Sequence, residues 1–133
     1  MSGFITYPKL VPLREEDGKQ LRSRSGRRLF YVEARFLYLS NILGLIAVPA
    51  HFVTDLASVP RLPLLYLFFG DHFPEAAVVH DFLYSAKSGQ GVSREQADAV
   101  LKEACLSLGE PRWRAWGAWA GVRLGGWAAY EAR

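Results

Sequence analysis

Short runs of alternating apolar and polar residues predict β-structure over residues 1–60. The segments GKQLRSR and RRLFYVEARFLYL flank Ser25-Gly26, an arrangement that predicts a hairpin. A further pair of strands is expected within LIAVPAHFVTD, where Gly44 and Pro49 interrupt the apolar run. Together these patterns indicate a small antiparallel sheet in the N-terminal half.

Residues 72–131 show helical spacing instead. Pro74 suits the first turn of a helix that runs to about Ala86, and Asp71 is a candidate cap. Ser93 and Gln96 form a capping-box pattern before a second helix. The apolar residues of that second helix recur on one face: Ala97, Val100, Leu101, Ala104 and Leu108.

A third helix is expected after Gly109 and Pro111, which end the second one. Its apolar residues share one broad face: Trp113, Trp116, Ala120 and Trp127. The sequence therefore predicts a single α+β domain over residues 1–133, with a small antiparallel sheet followed by three packed helices.

Length and composition agree with one folded domain, since the chain has 133 residues, of which 50% are hydrophobic and 22% charged. The single cysteine, Cys105, excludes an internal disulfide and a cysteine-based zinc site. No apolar run is long enough to span a bilayer, and the first residues lack the pattern of a signal peptide. The apolar segments FLYLSNILGLIAVPA and WRAWGAWAGVRLGGWAAY contain polar breaks and are expected in the core.

The net charge of +3 favours anionic partners without identifying one. Four arginines flank the predicted hairpin turn: Arg22, Arg24, Arg27 and Arg28. They either form a solvated hairpin tip or bind phosphate, in lipid headgroups or nucleic acid. No aromatic residues interleave with them, so a nucleic-acid stacking surface is not indicated.

The segment AAVVHDFLY places His80 and Asp81 in an otherwise apolar helix. His80 and Tyr84 are four residues apart and share a face, whereas Asp81 points about a quarter turn away. Asp98 lies on the next helix, an expected antiparallel neighbour, within reach of that face. A carboxylate on one imidazole nitrogen leaves the other nitrogen as a base. The alternative is a His–Asp–Tyr cluster that joins two helices and catalyses nothing.

A second polar segment, HFVTDLASVPR, contains Asp55. Its carboxylate either caps a short turn that runs through Ser58, or joins Asp81 in a cation site built from oxygen ligands. His51 and His72 are expected to be surface or packing residues. Metalloprotease HExxH, Walker and GxSxG motifs are absent from the sequence.

Three segments, VPAHFVTDLASVPR, AAVVHDFLYSAKSGQGVSREQADAVL and WRAWGAWAGVRLGGW, resemble a family encoded by tailed phages and prophages and known as a domain of unknown function. The resemblance implies a phage or prophage origin. It also implies synthesis in the cytoplasm of a bacterial host and a potential place in the virion.

The pair HDFLY and QADAVL is also similar to the His-Asp helix and second-helix Asp of phospholipases A2. This resemblance implies that His80 activates water, Asp98 orients His80, Tyr84 bonds Asp98, and Asp81 holds Ca²⁺. The chain departs from that pattern because it lacks the glycine-rich calcium loop and the usual disulfides of those enzymes.

Three alternative functions follow from these residues and resemblances. The first is hydrolysis of a lipid ester at His80, with Ca²⁺ as the implied cofactor and with the tryptophan-rich helix and arginine hairpin at a membrane surface. The second is a non-enzymatic virion or tail component whose aromatic face binds other phage proteins. The third is cleavage of a cell-wall amide by the same residues.

Overall fold

The computed structural model describes residues 2–23, 26–56, 73–85 and 91–125. Within these residues, six short strands precede three helices, which confirms the predicted α+β class. The strands are β1 (Gly3–Phe4), β2 (Leu10–Pro12), β3 (Phe30–Val32), β4 (Phe36–Ser40), β5 (Gly44–Val48) and β6 (Val53–Thr54). The helices are α1 (Pro74–Tyr84), α2 (Arg94–Ser107) and α3 (Arg112–Gly125).

The strands form two antiparallel three-stranded sheets, with orders β1-β4-β5 and β2-β3-β6. A tight turn joins β4 to β5, where the Ser40 hydroxyl accepts hydrogen bonds from the N–H groups of Ile42 (3.0 Å) and Leu43 (3.2 Å). Gly44 ends this turn with a φ of +79°, which a residue with a side chain rarely adopts. Local hydrogen bonds therefore set the register of the β4–β5 hairpin.

The predicted long strand through RRLFYVEARFLYL is divided in the structure. β3 ends at Val32 and β4 begins at Phe36, and the intervening residues 33–35 are exposed. The Glu33 N–H donates to the Lys9 carbonyl (2.9 Å). The chain thus passes from one sheet to the other at this point, and two sheets form where one was expected.

The two strands expected within LIAVPAHFVTD both form, but the prediction that they pair with each other is wrong. β5 pairs with β4, whereas β6 pairs with β3 in the other sheet. The His51 N–H donates to the Val32 carbonyl (2.7 Å), and the Val32 N–H donates to the Phe52 carbonyl (3.0 Å). These bonds attach the residues after Pro49 to β3, so they cannot fold back on β5.

The helix ends follow the local signals closely. Pro74 opens α1, which ends at Tyr84; the predicted end at Ala86 and the predicted cap Asp71 lie outside the described residues. The capping box before α2 is confirmed, because the Gln96 N–H donates to the Ser93 hydroxyl (3.1 Å) and the Ser93 N–H to the Gln96 amide oxygen (3.0 Å). Gly109, with a φ of +85°, follows the end of α2.

α1 and α2 supply much of the core, and α2 packs against both α1 and α3. α3 contributes only small residues to this core: Ala115, Ala118 and Val122. Trp113 and Trp116 are instead 53% and 51% exposed, and Trp127 lies outside the described residues. The segment WRAWGAWAGVRLGGWAAY was expected in the core, and within its described part the small residues, not the tryptophans, are buried. No helix in the described ranges combines the length and apolarity that a membrane crossing requires.

Candidate active site

The structure brings His80, Tyr84 and Asp98 together, as the helical spacing predicted. His80 Nε2 lies 2.7 Å from Asp98 Oδ1, and the Tyr84 hydroxyl donates to the same oxygen at 2.5 Å. The rings of His80 and Tyr84, one helical turn apart on α1, have centroids 4.1 Å apart. His80 is 2% exposed and Asp98 is fully buried, at 0%. The three side chains form a buried cluster between α1 and α2.

Two arginines that sequence reasoning missed complete this cluster. Arg123 of α3 donates from an Nη atom to Asp98 Oδ2 (2.9 Å), and Arg94 Nε lies 4.0 Å from the same oxygen. Arg94 also donates to the backbone carbonyls of Val122 (3.1 Å) and Arg123. Asp98 therefore bonds side chains from α1 and α3 while lying on α2, and it links all three helices.

Only part of this arrangement had a sequence signal. Arg94 lies four residues before Asp98 on the same helix, and this spacing favours an ion pair that could have been predicted from the sequence. Arg123 lies 25 residues after Asp98, on another helix, and no local pattern relates the two.

The cluster keeps Asp98 ionised. Burial alone would raise the pKa of Asp98, but the hydrogen bonds from His80, Tyr84 and Arg123 outweigh it and hold the pKa below its usual value. Burial and the neighbouring Asp98 charge both raise the pKa of Tyr84, so its hydroxyl stays protonated and donates. Because a carboxylate only accepts hydrogen bonds, the proton between Asp98 and the imidazole belongs to His80 Nε2.

The other nitrogen of His80 faces a second carboxylate. His80 Nδ1 lies 4.0 Å from Asp81 Oδ1. The second oxygen, Asp81 Oδ2, accepts a 2.5 Å hydrogen bond from the buried Thr54 hydroxyl, which itself accepts from the Leu56 N–H (3.0 Å). The polar segment HFVTD therefore does meet Asp81, but the bond comes from Thr54 of β6 and not from Asp55. Ser58 and His72 lie outside the described residues.

The described residues do not fit the calcium centre that the phospholipase resemblance implies. Calcium takes six to eight oxygen ligands, usually with several carboxylates among them. The described ranges contain no group of three or more His, Cys, Asp or Glu residues that could hold a metal ion, and one Asp81 oxygen already accepts from Thr54. The described residues alone therefore do not supply a calcium site.

Residues on either side of the predicted Ser25-Gly26 turn pair with each other, and their arginine side chains contact groups within the chain; Ser25 itself lies outside the described residues. Arg22 and Arg28 form a β-bridge, and the Arg22 guanidinium donates to the Gly26 carbonyl (2.9 Å). Arg27 donates to the Leu56 carbonyl (3.3 Å), and the Arg28 guanidinium lies 5.3 Å from the centroid of the Phe30 ring. Arg24 lies outside the described residues. Anion binding by this hairpin stays a prediction.

A family model described as Protein of unknown function (DUF1353) matches residues 30–122. The chain belongs to the DUF1353 family. The DUF1353 region includes His80, Asp81, Tyr84 and Asp98, and it ends one residue before Arg123. None of the curated proteins and none of the solved structures compared with the chain matches it.

Proposed function

We propose that this DUF1353 protein is a hydrolase, encoded by a phage or prophage, that uses His80 as a general base on a lipid ester. The observation that carries the proposal is the 2.7 Å contact between His80 Nε2 and the buried, ionised Asp98. A carboxylate in this position fixes the imidazole tautomer and stabilises the imidazolium that forms during proton transfer. Phage origin and lipid substrate come from the sequence resemblances.

The proposed reaction begins with a water molecule at His80 Nδ1. Nδ1 takes one proton from this water as its oxygen attacks the ester carbonyl carbon. The bond from that carbon to the alkoxy oxygen then breaks, and the proton on Nδ1 passes to the leaving alkoxide. The products are a carboxylic acid and an alcohol, and the imidazole returns to its starting state.

Two carboxylates lie beside the imidazole in this scheme. Asp98 accepts the hydrogen bond from the Nε2–H group, and Asp81 Oδ1 lies 4.0 Å from Nδ1. Asp98 and Tyr84 act as positioning residues, since they bond to the base and not to the substrate.

A second candidate function is a non-enzymatic virion or tail component in which the same cluster joins helices. The 2% exposure of His80 and the three donors on Asp98 favour this alternative, because every contact is then explained by stability alone. The two functions differ in what a change at His80 does to turnover.

The test uses His80→Gln, because a glutamine amide can still donate an N–H to Asp98 but cannot act as a base at neutral pH. Wild type and variant are compared on soluble p-nitrophenyl esters, fluorogenic phospholipid vesicles and purified peptidoglycan. We expect ester turnover that falls by about 10²–10⁴-fold in the variant. Circular dichroism checks that the variant stays folded, and Glu95→Gln, on the exposed side of α2, is the matched control.

Equal turnover by wild type and His80→Gln, or no turnover of any substrate, would overturn the proposal and leave the helix-joining role. Turnover confined to peptidoglycan would replace the ester by an amide. Calcium titration of the wild type and Asp81→Asn tests the metal separately. Saturable binding that the variant loses would require ligands beyond the described residues.

A further inference from the structure

Helix α3 is apolar on the side that faces solvent as well as on the side that packs inward. Its inward side carries alanines and a valine, as described above. Leu124, near its C-terminal end, is 83% exposed. At 3.6 residues per turn, a continuous outward strip is formed by Trp113, Trp116, Gly117, Ala120, Gly121 and Leu124, here named the outer face.

An outward strip without a charged residue is unusual for a surface helix. Such helices normally place charged and polar residues opposite the buried stripe, whereas the arginines of α3 flank this strip and leave its centre apolar. Gly121 offers no obstacle to close approach, since a Cβ there would meet nothing within 4 Å. The outer face of α3 therefore has the character of a contact surface.

The borders of the outer face are basic. Lys102 Nζ of α2 lies 3.8 Å from the centroid of the Trp116 ring, and Arg112 is exposed at the start of α3. On the opposite border, the Arg114 guanidinium lies 4.7 Å from the Trp113 ring centroid and pairs with Glu110 at 2.5 Å. α3 itself contains no acidic residue. The border thus carries a net positive charge.

The positive charge at the border distinguishes between the kinds of partner that an apolar strip can bind. A second copy of the chain, related by two-fold symmetry, would bring the same basic border against itself. A nucleic acid can stack on Trp113 and Trp116, but the rest of the strip is aliphatic and offers bases no ring and phosphates no hydrogen-bond donor. An anionic lipid surface matches both parts, with acyl carbon at the strip and phosphate at the border.

We propose that the outer face of α3 binds the surface of an anionic membrane, with the helix lying in the plane of the interface. Trp113 and Trp116 would lie at the level of the headgroups, where indole rings are favoured. Leu124 would reach the acyl boundary, while Lys102 and Arg112 contact lipid phosphates. This binding does not require turnover at His80.

The test is co-sedimentation of the full chain with vesicles of phosphatidylcholine, with and without phosphatidylglycerol. We expect binding to the anionic vesicles that weakens in high salt, since border charges are screened. Trp113→Ser/Trp116→Ser should weaken it by about tenfold or more, because two interfacial anchors are lost. The matched control is Tyr7→Ser/Leu45→Ser, which removes two exposed apolar side chains outside α3.

Absence of binding to anionic vesicles, or an equal loss in the two double variants, would overturn the proposal. Tryptophan-dependent self-association in sedimentation velocity, without vesicle binding, would replace the membrane by a second copy. Tryptophan-dependent binding to DNA alone would also overturn it. Failure here is distinct from failure of the hydrolase, because soluble-ester turnover of the tryptophan variant is expected to match wild type.

Discussion

Asp98→Asn is the change that tests the cluster most directly. The wild-type carboxylate accepts from His80 and Tyr84 at Oδ1 and from Arg123 at Oδ2. An asparagine oxygen can still accept from the first two donors. Its amide group then faces the Arg123 guanidinium, donor against donor, and the buried negative charge that Arg123 pairs with is gone.

The expected loss follows from these contacts. A charge-assisted hydrogen bond contributes about 1.5–3 kcal/mol, and the loss of Arg123's bond removes one of them. The bonds from His80 and Tyr84 become neutral, at a further cost of about 1 kcal/mol. Because the Arg123 side chain is partly exposed and can turn to water, we expect about 3 kcal/mol, the lower end for a broken buried pair.

Urea unfolding followed by circular dichroism measures this free energy, and the midpoint of thermal unfolding should fall by about 10 °C. Glu95→Gln is the control, because Glu95 also pairs with Arg123, at 3.5 Å, but its side chain is 72% exposed. An exposed pair of this kind contributes about 0.5 kcal/mol or less. Equal losses of unfolding free energy in the two variants, or a loss below about 1 kcal/mol in Asp98→Asn, would show that Asp98 is not a main stabilising link between the helices.

Three further outcomes are expected. The pKa of Asp98 is lowered on folding, so its contribution to stability is full above the unfolded pKa of about 4 and is lost as the pH falls through the lower folded value. The difference in the free energy of unfolding between wild type and Asp98→Asn, measured in urea, should therefore shrink as the pH falls below about 4. Burial, with a smaller effect of the Glu110 charge, raises the pKa of Cys105 to about 12, so a thiol reagent at mildly alkaline pH should label it only after unfolding, and rapid native labelling would contradict this. Ser93→Ala removes one half of the capping box and should lower the free energy of unfolding by about 1 kcal/mol in the same urea assay, whereas no change would show that the cap is not stabilising.

Features that depend on neighbouring residues were predictable from the sequence. The Ser93–Gln96 box and the Gly109 helix end are set by backbone groups within one turn, so the local pattern was sufficient. The meeting of His80, Tyr84 and Asp98 needed only helical spacing and an antiparallel neighbour. Each of these predictions used contacts that are short in sequence or joined by one loop.

Contacts between distant segments could not be read in this way. The Thr54–Asp81 bond spans 27 residues and depends on how β6 docks against α1. The division into two sheets depends on the change of direction at residues 33–35, whose sequence continues the strand-like pattern. The exposed tryptophans reflect the way in which α3 docks on α2, with its alanines and Val122 turned inward. Tertiary packing, and not local preference, decides all three.

The position of Asp98 determines which variants can separate catalysis from stability. The same carboxylate bonds His80 and links three helices, so in the proposed hydrolase any change at Asp98 would weaken turnover and stability together. A loss of turnover in Asp98→Asn would therefore be ambiguous by itself. His80→Gln avoids this ambiguity, because the amide N–H can replace the Nε2 bond to Asp98 while the basic nitrogen is lost. If this variant unfolds at the wild-type midpoint and has no turnover, the imidazole is needed for its base chemistry and not for its place in the core.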